Sequence, residues 1–343
     1  MSDNAWMRNP FTLGLRNRTV ANDESTTEQF SIELAEFVAA NFFLGLFSFV
    51  GLAVNCAVIA AILSNKVLRD IPSNLFVLSL AIADAFLCLI YSAICLHMAR
   101  SKLLTETLRF TRYIVHLTRL ALLSGSSNLL LLIYNRFISI YDPFNYLERM
   151  TLKRAKLLIF VVWSLAVVLA CLSAVSSFVV YLTVIHLAVC ELATTAINVY
   201  LLKQASDQRK AIARLHKSVL TGQKRSVMRE YRSFLRLTVV ICTSTLANVY
   251  NVVSWFYRSA YLSRKSRTYQ IQAIVCFIVL ALIAAIHPLV YSITSEEFKR
   301  IVKKVKARLF QRCYEKYFWP AGSRRNYTPP FLVRRQIRPA ENH

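Results

Sequence analysis

Residues 157–202 read LLIFVVWSLAVVLACLSAVSSFVVYLTVIHLAVCELATTAINVYLL, a run of 46 residues with one charge, Glu191. A single helix of that length would extend about 69 Å, more than twice the ~30 Å hydrocarbon layer of a membrane. The run therefore holds two spans joined by a very short turn, and Ser176-Ser177 is the place for it. Length sets this point, because the distribution of charge does not. With it the chain reads as an all-α membrane protein, a seven-transmembrane helix bundle with a C-terminal amphipathic surface helix.

The rest of the chain agrees. It is 56% hydrophobic and 17% charged, with six glycines in 343 residues, too few charges and turn residues for a soluble protein of this size. The other apolar runs are Phe37 to Leu63, Ile71 to Met98, Phe110 to Ile138, Leu237 to Tyr257 and Tyr269 to Ile293. Each is near the ~20 residues that cross a bilayer. The formal charge of +24 invites a nucleic-acid reading, but Lys and Arg cluster in short segments between apolar runs and after the last one. No basic-aromatic module stands apart from the spans, so nucleic acid is not the expected partner. With seven spans, 29 of the 42 Lys and Arg fall on one side and 12 on the other, Arg136 being the remaining one. The richer side is the inner one, which puts the N-terminus outside, the C-terminus inside, and anionic inner-leaflet lipid against the basic loops.

Four segments follow: an extracellular tail 1–36, the bundle 37–293, an inner-surface helix 294–313 and a basic cytoplasmic tail 314–343. The first tail is polar and expected to lack regular structure. It has no apolar core followed by a small-residue cleavage site, so the first span is expected to be its own insertion signal. Asn17-Arg18-Thr19 is a glycosylation acceptor on the outer side, and Asn326-Tyr327-Thr328 repeats the pattern on the inner one. Only one of the two tails can be modified. In the surface helix Phe298, Ile301, Val302, Val305, Leu309 and Phe310 recur at helical spacing among Lys and Arg. Cys313 follows it as a candidate for palmitoylation, with an unmodified thiol as the alternative. The other seven cysteines lie inside apolar runs and read as small buried hydrophobes.

Polar residues inside the spans need reasons. Asp84 lies mid-span, where a carboxylate costs roughly 2.5–3.5 kcal/mol on insertion scales. It should face other helices, in an interhelical polar cluster with Asn55 of the first span, a natural neighbour, and His287 of the last. At about 100° per residue, Arg136 ends a stripe of the third span formed by Thr118, Leu122, Gly125 and Leu129. His116 and Arg119 near the outer end of that span, with His186 and Glu191 in the fifth, could line an outer pocket together with Thr118 and Leu122. Arg119 would then meet an anionic group of a ligand; snorkelling or an Arg119–Glu191 pair are the plainer readings. Pro288 breaks the last helix and frees a carbonyl that needs a partner.

Taken together these residues resemble the rhodopsin-like (class A) G-protein-coupled receptors, from about Phe37 to Cys313. The carriers are Gly51-Leu-Ala-Val-Asn55, Leu80-Ala-Ile-Ala-Asp84, Asn135-Arg136-Phe137 with Pro143 and Phe144 beyond it, Trp163, Tyr200, and His287-Pro288-Leu-Val-Tyr291. Each is weak alone; their order and spacing are specific. The resemblance implies that an extracellular ligand of unknown class biases a two-state bundle and that the sixth span swings outward. Arg136 is then exposed to a heterotrimeric G protein. It further implies that Tyr200 and Tyr291 support the open state, and that Phe144 and the basic third loop contact the G protein.

The departures are informative. Asn135 stands where the family has the acid that pairs with the arginine. Cys242-Thr-Ser-Thr245 replaces Cys-Trp-x-Pro, so the aromatic toggle and kink of the sixth span are missing. The third span has no outer cysteine, the loop between the fourth and fifth spans is very short, and Leu192 takes the place of a proline. These last features resemble the melanocortin, lysophospholipid and cannabinoid receptor group. His287 for Asn and Gly125 for Ser leave the family's sodium ligands incomplete, and no lysine in the seventh span excludes a retinal Schiff base, so no cofactor is expected. The alternatives are a constitutively active or non-signalling homologue and, from other classes, a transporter or an intramembrane enzyme. The chain shows neither the internal repeat of many transporters nor convergent catalytic groups.

Overall fold

In a computed structural model of the chain, the described residues are 10–101, 104–214, 238, 242–254, 257 and 267–294. The inner-surface helix after Thr294, Cys313, Asn326 and the basic tail lie outside them. The elements are α1 (Pro10–Ser64), α2 (Lys66–Arg69), α3 (Pro72–Ser101), α4 (Leu104–Tyr141), α5 (Tyr146–Arg149), α6 (Leu152–Val175) and α7 (Ser177–Arg214). A helix over 242–254, here α8, and α9 (Arg267–Thr294) complete the set. No strand occurs among the described residues.

Six of these helices carry stretches long and apolar enough to cross a membrane: Val38–Ser64, Pro72–His97, Ile114–Tyr141, Leu152–Val175, Phe178–Gln204 and Ile271–Pro288. Each falls on an expected span, and α8 occupies the place of the sixth. The long run parts at Ser176, which is extended (φ −129°, ψ 124°) while α7 begins at the next residue. Its N–H still closes on Leu172 O at 3.0 Å, so one residue out of helical conformation makes the turn. Thr151 caps α6 by accepting from Arg154 N at 3.3 Å, and Asn65 caps α2 through Val67 N at 3.0 Å.

Two expectations are corrected. The polar stretch before Phe37 is helical from Pro10 onward. Composition speaks to whether a segment can bury a core of its own; once the apolar span supplies a nucleus, propagation adds a hydrogen bond per residue. No proline interrupts the chain between Pro10, itself suited to a first turn, and Pro72. Likewise Pro288 does not end the last helix, since α9 runs through it to Thr294.

α3 is the middle of the bundle. Its apolar stretch is 78% buried against 17% for α6, which sits at the edge with its apolar faces outward. α1 packs on α3 and α9, α4 on α3, α6 and α7, and α6 on α7. A core of Leu44, Leu87, Tyr91, Ile94, Ile274 and Ala281 fills the α1–α3–α9 contact, with Tyr91 against Phe277 at 5.3 Å between ring centres. Small residues bring the backbones together there. A Cβ on Gly51 would stand 2.7 Å from Cys88 Sγ and 3.3 Å from Ala285 Cβ, and one on Gly45 2.9 Å from Cys95 Sγ. Of the seven cysteines in the described residues, Cys88, Cys95, Cys190 and Cys276 are buried as expected. Cys56, Cys171 and Cys242 are exposed instead, because apolar sequence alone does not say which side of a span meets neighbours.

The Gly51 contact is testable. Gly51→Ala forces its new methyl onto Cys88 Sγ and is expected to lower stability by about 1–3 kcal/mol, the usual cost of overpacking. The detergent-solubilised variant should unfold several degrees earlier, and Cys88→Ala in the same chain should recover most of the loss. An unchanged melting point for Gly51→Ala would refute the close approach.

Candidate functional site

The candidate residues of the spans gather in three places, and the central one is a chain of hydrogen bonds across the bundle. Asp84 of α3 meets His287 of α9, Oδ2 to Nδ1 at 2.8 Å, and both are buried. The other ring nitrogen, Nε2, lies 2.6 Å from Ser244 Oγ of α8. With Asp84 ionised, Nδ1–H donates to the carboxylate and Nε2 accepts the serine proton. One imidazole thus joins three helices.

Asn55 lines the same small gap as Asp84, His287 and Pro288, but the two expected neighbours do not bond each other. Asn55 Nδ2 donates to Gly51 O and to Ala284 O, both at 2.9 Å. Ala284 is four residues before Pro288, so its carbonyl is the one that the proline leaves without an N–H. Asn55 supplies the missing donor and α9 continues.

At the end of α4, Asn135 is fully buried and turned away from Arg136. Its Nδ2 donates to Ser73 Oγ at 2.9 Å, and its Oδ1 accepts from Tyr146 OH at 3.1 Å. Ser73 and Tyr146 oxygens are themselves 3.3 Å apart. This triangle ties α4 to the start of α3 and to the short α5. Arg136 is half-buried, its Nε has no hydrogen-bond partner, and no acid pairs with it among the described residues. Phe137 lies 5.5 Å edge-on from Tyr200 of α7 and 5.3 Å stacked on Tyr141. The loop beyond is braced by an Asp142–Arg149 ion pair at 2.9 Å and by Arg154 donating to Glu148 O and Arg149 O. Pro143 is exposed on it, and Phe144 is 96% exposed. Tyr291 lies within α9.

Toward the other end, Arg119 NH1 donates to Ser173 Oγ of α6 at 3.0 Å and lies 3.2 Å from His116 Nδ1. Arg119 is therefore not paired with Glu191. Thr118 bonds its own helix at Ile114 O, and Leu122 packs on the apolar core. His186 of α7 meets Ser127 of α4 at 2.9 Å. Glu191, 5% exposed, takes Asn248 Nδ2 of α8 on Oε1 at 2.5 Å. The hydroxyls of Thr245 and Ser126 adjoin the carboxylate, and Oε2 makes no hydrogen bond of ordinary geometry. The structure so divides the six candidate pocket residues: His116 with Arg119 against α6, His186 and Glu191 between α4, α7 and α8. Asn17 falls within α1.

Several partners have no signal in the sequence. Ser244, Asn248, Ser73 and Tyr146 are ordinary polar residues until the helices meet. So are Ser79 and Asn128: Trp163 Nε1 donates to Ser79 Oγ at 2.9 Å, and Ser79 donates to Asn128 Oδ1 at 2.7 Å, joining α6, α3 and α4. Trp163 stands out in the sequence only as a carrier of the resemblance; its partners could not be read from spacing.

Comparison with known proteins adds independent findings. The family model described as "7 transmembrane receptor (rhodopsin family)" matches residues 54–179. Melanocortin receptor 5 of Rattus norvegicus is 23% identical over 302 residues, covering 84% of this chain and 88% of the relative. The Mus musculus receptor of the same name is 22% identical over 306 residues, covering 85% and 89%. Dopamine receptor 2 of Drosophila melanogaster is 37% identical over 125 residues, covering 35% of this chain and 22% of the relative.

The Glu191–Asn248 bond yields a stability prediction. Asn248→Leu strips a buried carboxylate of its amide donor and should cost about 1–3 kcal/mol. Adding Glu191→Leu removes the stranded group and should restore much of it. Thermal unfolding in detergent decides; two independent, additive losses would show that the pair does not interact.

Proposed function

We propose that this chain is a receptor of the rhodopsin-like seven-transmembrane kind, as the match over residues 54–179 and the similarity to melanocortin receptors support, and that it passes an extracellular signal to heterotrimeric G proteins. The observation that carries the reading is the Arg136 end of the bundle. A guanidinium held in a helix bundle normally finds an acid or a ring of carbonyls. Here its Nε is buried and unsatisfied. Around it stand the Phe137–Tyr200 contact and a braced loop that presents Phe144 to solvent. A guanidinium with an unsatisfied Nε beside an exposed aromatic fits a surface awaiting a protein that brings carbonyl and carboxylate acceptors.

In this reading Asn135 is a positioning residue: through Tyr146 it fixes the loop that carries Pro143 and Phe144. Tyr291 supports the open state from α9. The excess of Lys and Arg on the Arg136 side supports reading that side as cytoplasmic, with anionic lipid against it and the N-terminus outside; a receptor for an extracellular ligand then belongs in the plasma membrane. The ligand enters from the opposite side, where His116 and Arg119 sit above Thr118 and Leu122, with His186 and Glu191 deeper along α7. A homologue that signals constantly, or not at all, is the second reading, favoured by the absence of an acid at position 135.

Arg136→Ala should reduce cAMP and calcium responses to the background of untransfected cells while surface expression stays at the wild-type level. Unchanged responses across G-protein types, with the variant at the surface, would overturn the proposal.

A further inference from the structure

A seven-helix receptor whose arginine has no acid beside it needs another restraint to stay at rest. In this chain Asn135 spends its donors and acceptors on Ser73 and Tyr146, and nothing acidic holds Arg136 among the described residues. The helix expected to move is the sixth span, α8. It is continuous over 242–254, with Thr245 where the family has a helix-bending proline. A helix without a built-in bend pivots as a rod, so bonds at its middle govern where its ends go.

Those bonds are buried and polar, and they grip α8 on both flanks. Ser244 is 1% exposed and bonded to His287, which is anchored on Asp84 in the most buried helix of the bundle. One turn further, Asn248 donates to Glu191 of α7. Toward the Arg136 end, Thr238 donates to Asn198 Oδ1 at 3.4 Å and Asn198 reaches Cys242 Sγ at 3.7 Å. The identity of residue 287 is what makes the first link possible. Imidazole carries nitrogens on two sides of a ring, one for each partner. Asparagine, shorter and with both polar atoms on one carbon, would reach Asp84 and leave Ser244 behind.

We propose that the resting state is held by a buried strap, Asp84–His287–Ser244, seconded by Glu191–Asn248, in place of an ionic pair at Arg136. Releasing the Ser244 end frees α8 to swing while Asp84 and His287 stay paired. The proposal rests on the reading that movement of the sixth span is the signal. It makes the wild-type receptor quiet in spite of Asn135.

The experiment uses the full chain in nanodiscs, with no ligand, and reads two things. One is the distance between spin labels carried by unnatural amino acids at Tyr141 and at Cys242, the exposed first described residue of α8; the other is basal G-protein nucleotide exchange per receptor. Wild type should show one short-distance population and low exchange. Ser244→Ala and His287→Asn should each raise the ratio of long to short distances by roughly two- to tenfold, the scale set by one buried hydrogen bond. The double variant should add nothing, because both changes cut the same strap. Distances that stay put in both variants, or effects that simply add, would overturn it, and so would a wild-type receptor already populated at long distance. If His287→Asn fails to fold, Ser244→Ala alone decides by the same distance ratio. A shift in distance with no change in exchange would keep the strap and refute G-protein coupling; signalling lost in Arg136→Ala with distances fixed in the strap variants would do the reverse.

Discussion

Inside a membrane no water arrives to satisfy a polar side chain, so a carboxylate there is tolerated only where the protein supplies its partners. The bond between Asp84 and His287, 2.8 Å long and buried on both sides, is the clearest case in this molecule. Much of the rest follows from meeting that demand. α3 must sit at the centre for Asp84 to face α9, and α9 must present His287 one turn below Ala284. α8 gains a polar anchor because the imidazole has a second nitrogen to offer. The same requirement, repeated at Glu191 with Asn248 and at Ser79 with Trp163 and Asn128, gives each of α3, α4, α6, α7, α8 and α9 at least one directional bond to a neighbour. Apolar packing in lipid has no comparable direction, since the tails outside are as apolar as the core.

Backbone groups obey the same rule. Pro288 removes a donor from α9, and the orphaned carbonyl of Ala284 is recovered by Asn55 from α1. That bond needs α1 to lie close, and Gly51, whose own carbonyl accepts from the same amide, permits it: a Cβ there would stand 3.3 Å from Ala285 Cβ of α9. A glycine, an asparagine and a proline from two ends of the chain are thus one device. It holds α1 against α9 and keeps α9 helical through its proline.

The Arg136 end follows a different arrangement. Asn135 is satisfied by Ser73 and Tyr146, which braces the loop, and among the described residues no acid pairs with the adjacent arginine. The stripe through Thr118, Leu122 and Leu129 leads to that arginine as the 3.6-residue repeat requires, with Leu129 3% exposed. Which neighbour each residue of the stripe meets is set by the rotation of α4 against α3 and α7, which no repeat along one helix encodes.

What the sequence determined by itself was whatever depends on distance along one chain. The length of the 157–202 run required two spans, and the break fell at Ser176. Hydrocarbon thickness set where the spans lie, and the polar residues inside them marked Asp84, Arg136, Glu191 and His287 as positions needing partners. The inner helicity of the first tail was missed because composition reports burial, whereas helix can propagate from a neighbouring span. Only the tertiary structure decided who the partners are. Asp84 chose His287 over Asn55, Arg119 chose Ser173 over Glu191, and Asn135 turned to Ser73 and Tyr146. Those choices depend on helix rotations and depths fixed by the whole bundle at once, and a hydrogen bond forms only when donor and acceptor arrive within about 3 Å in the right direction.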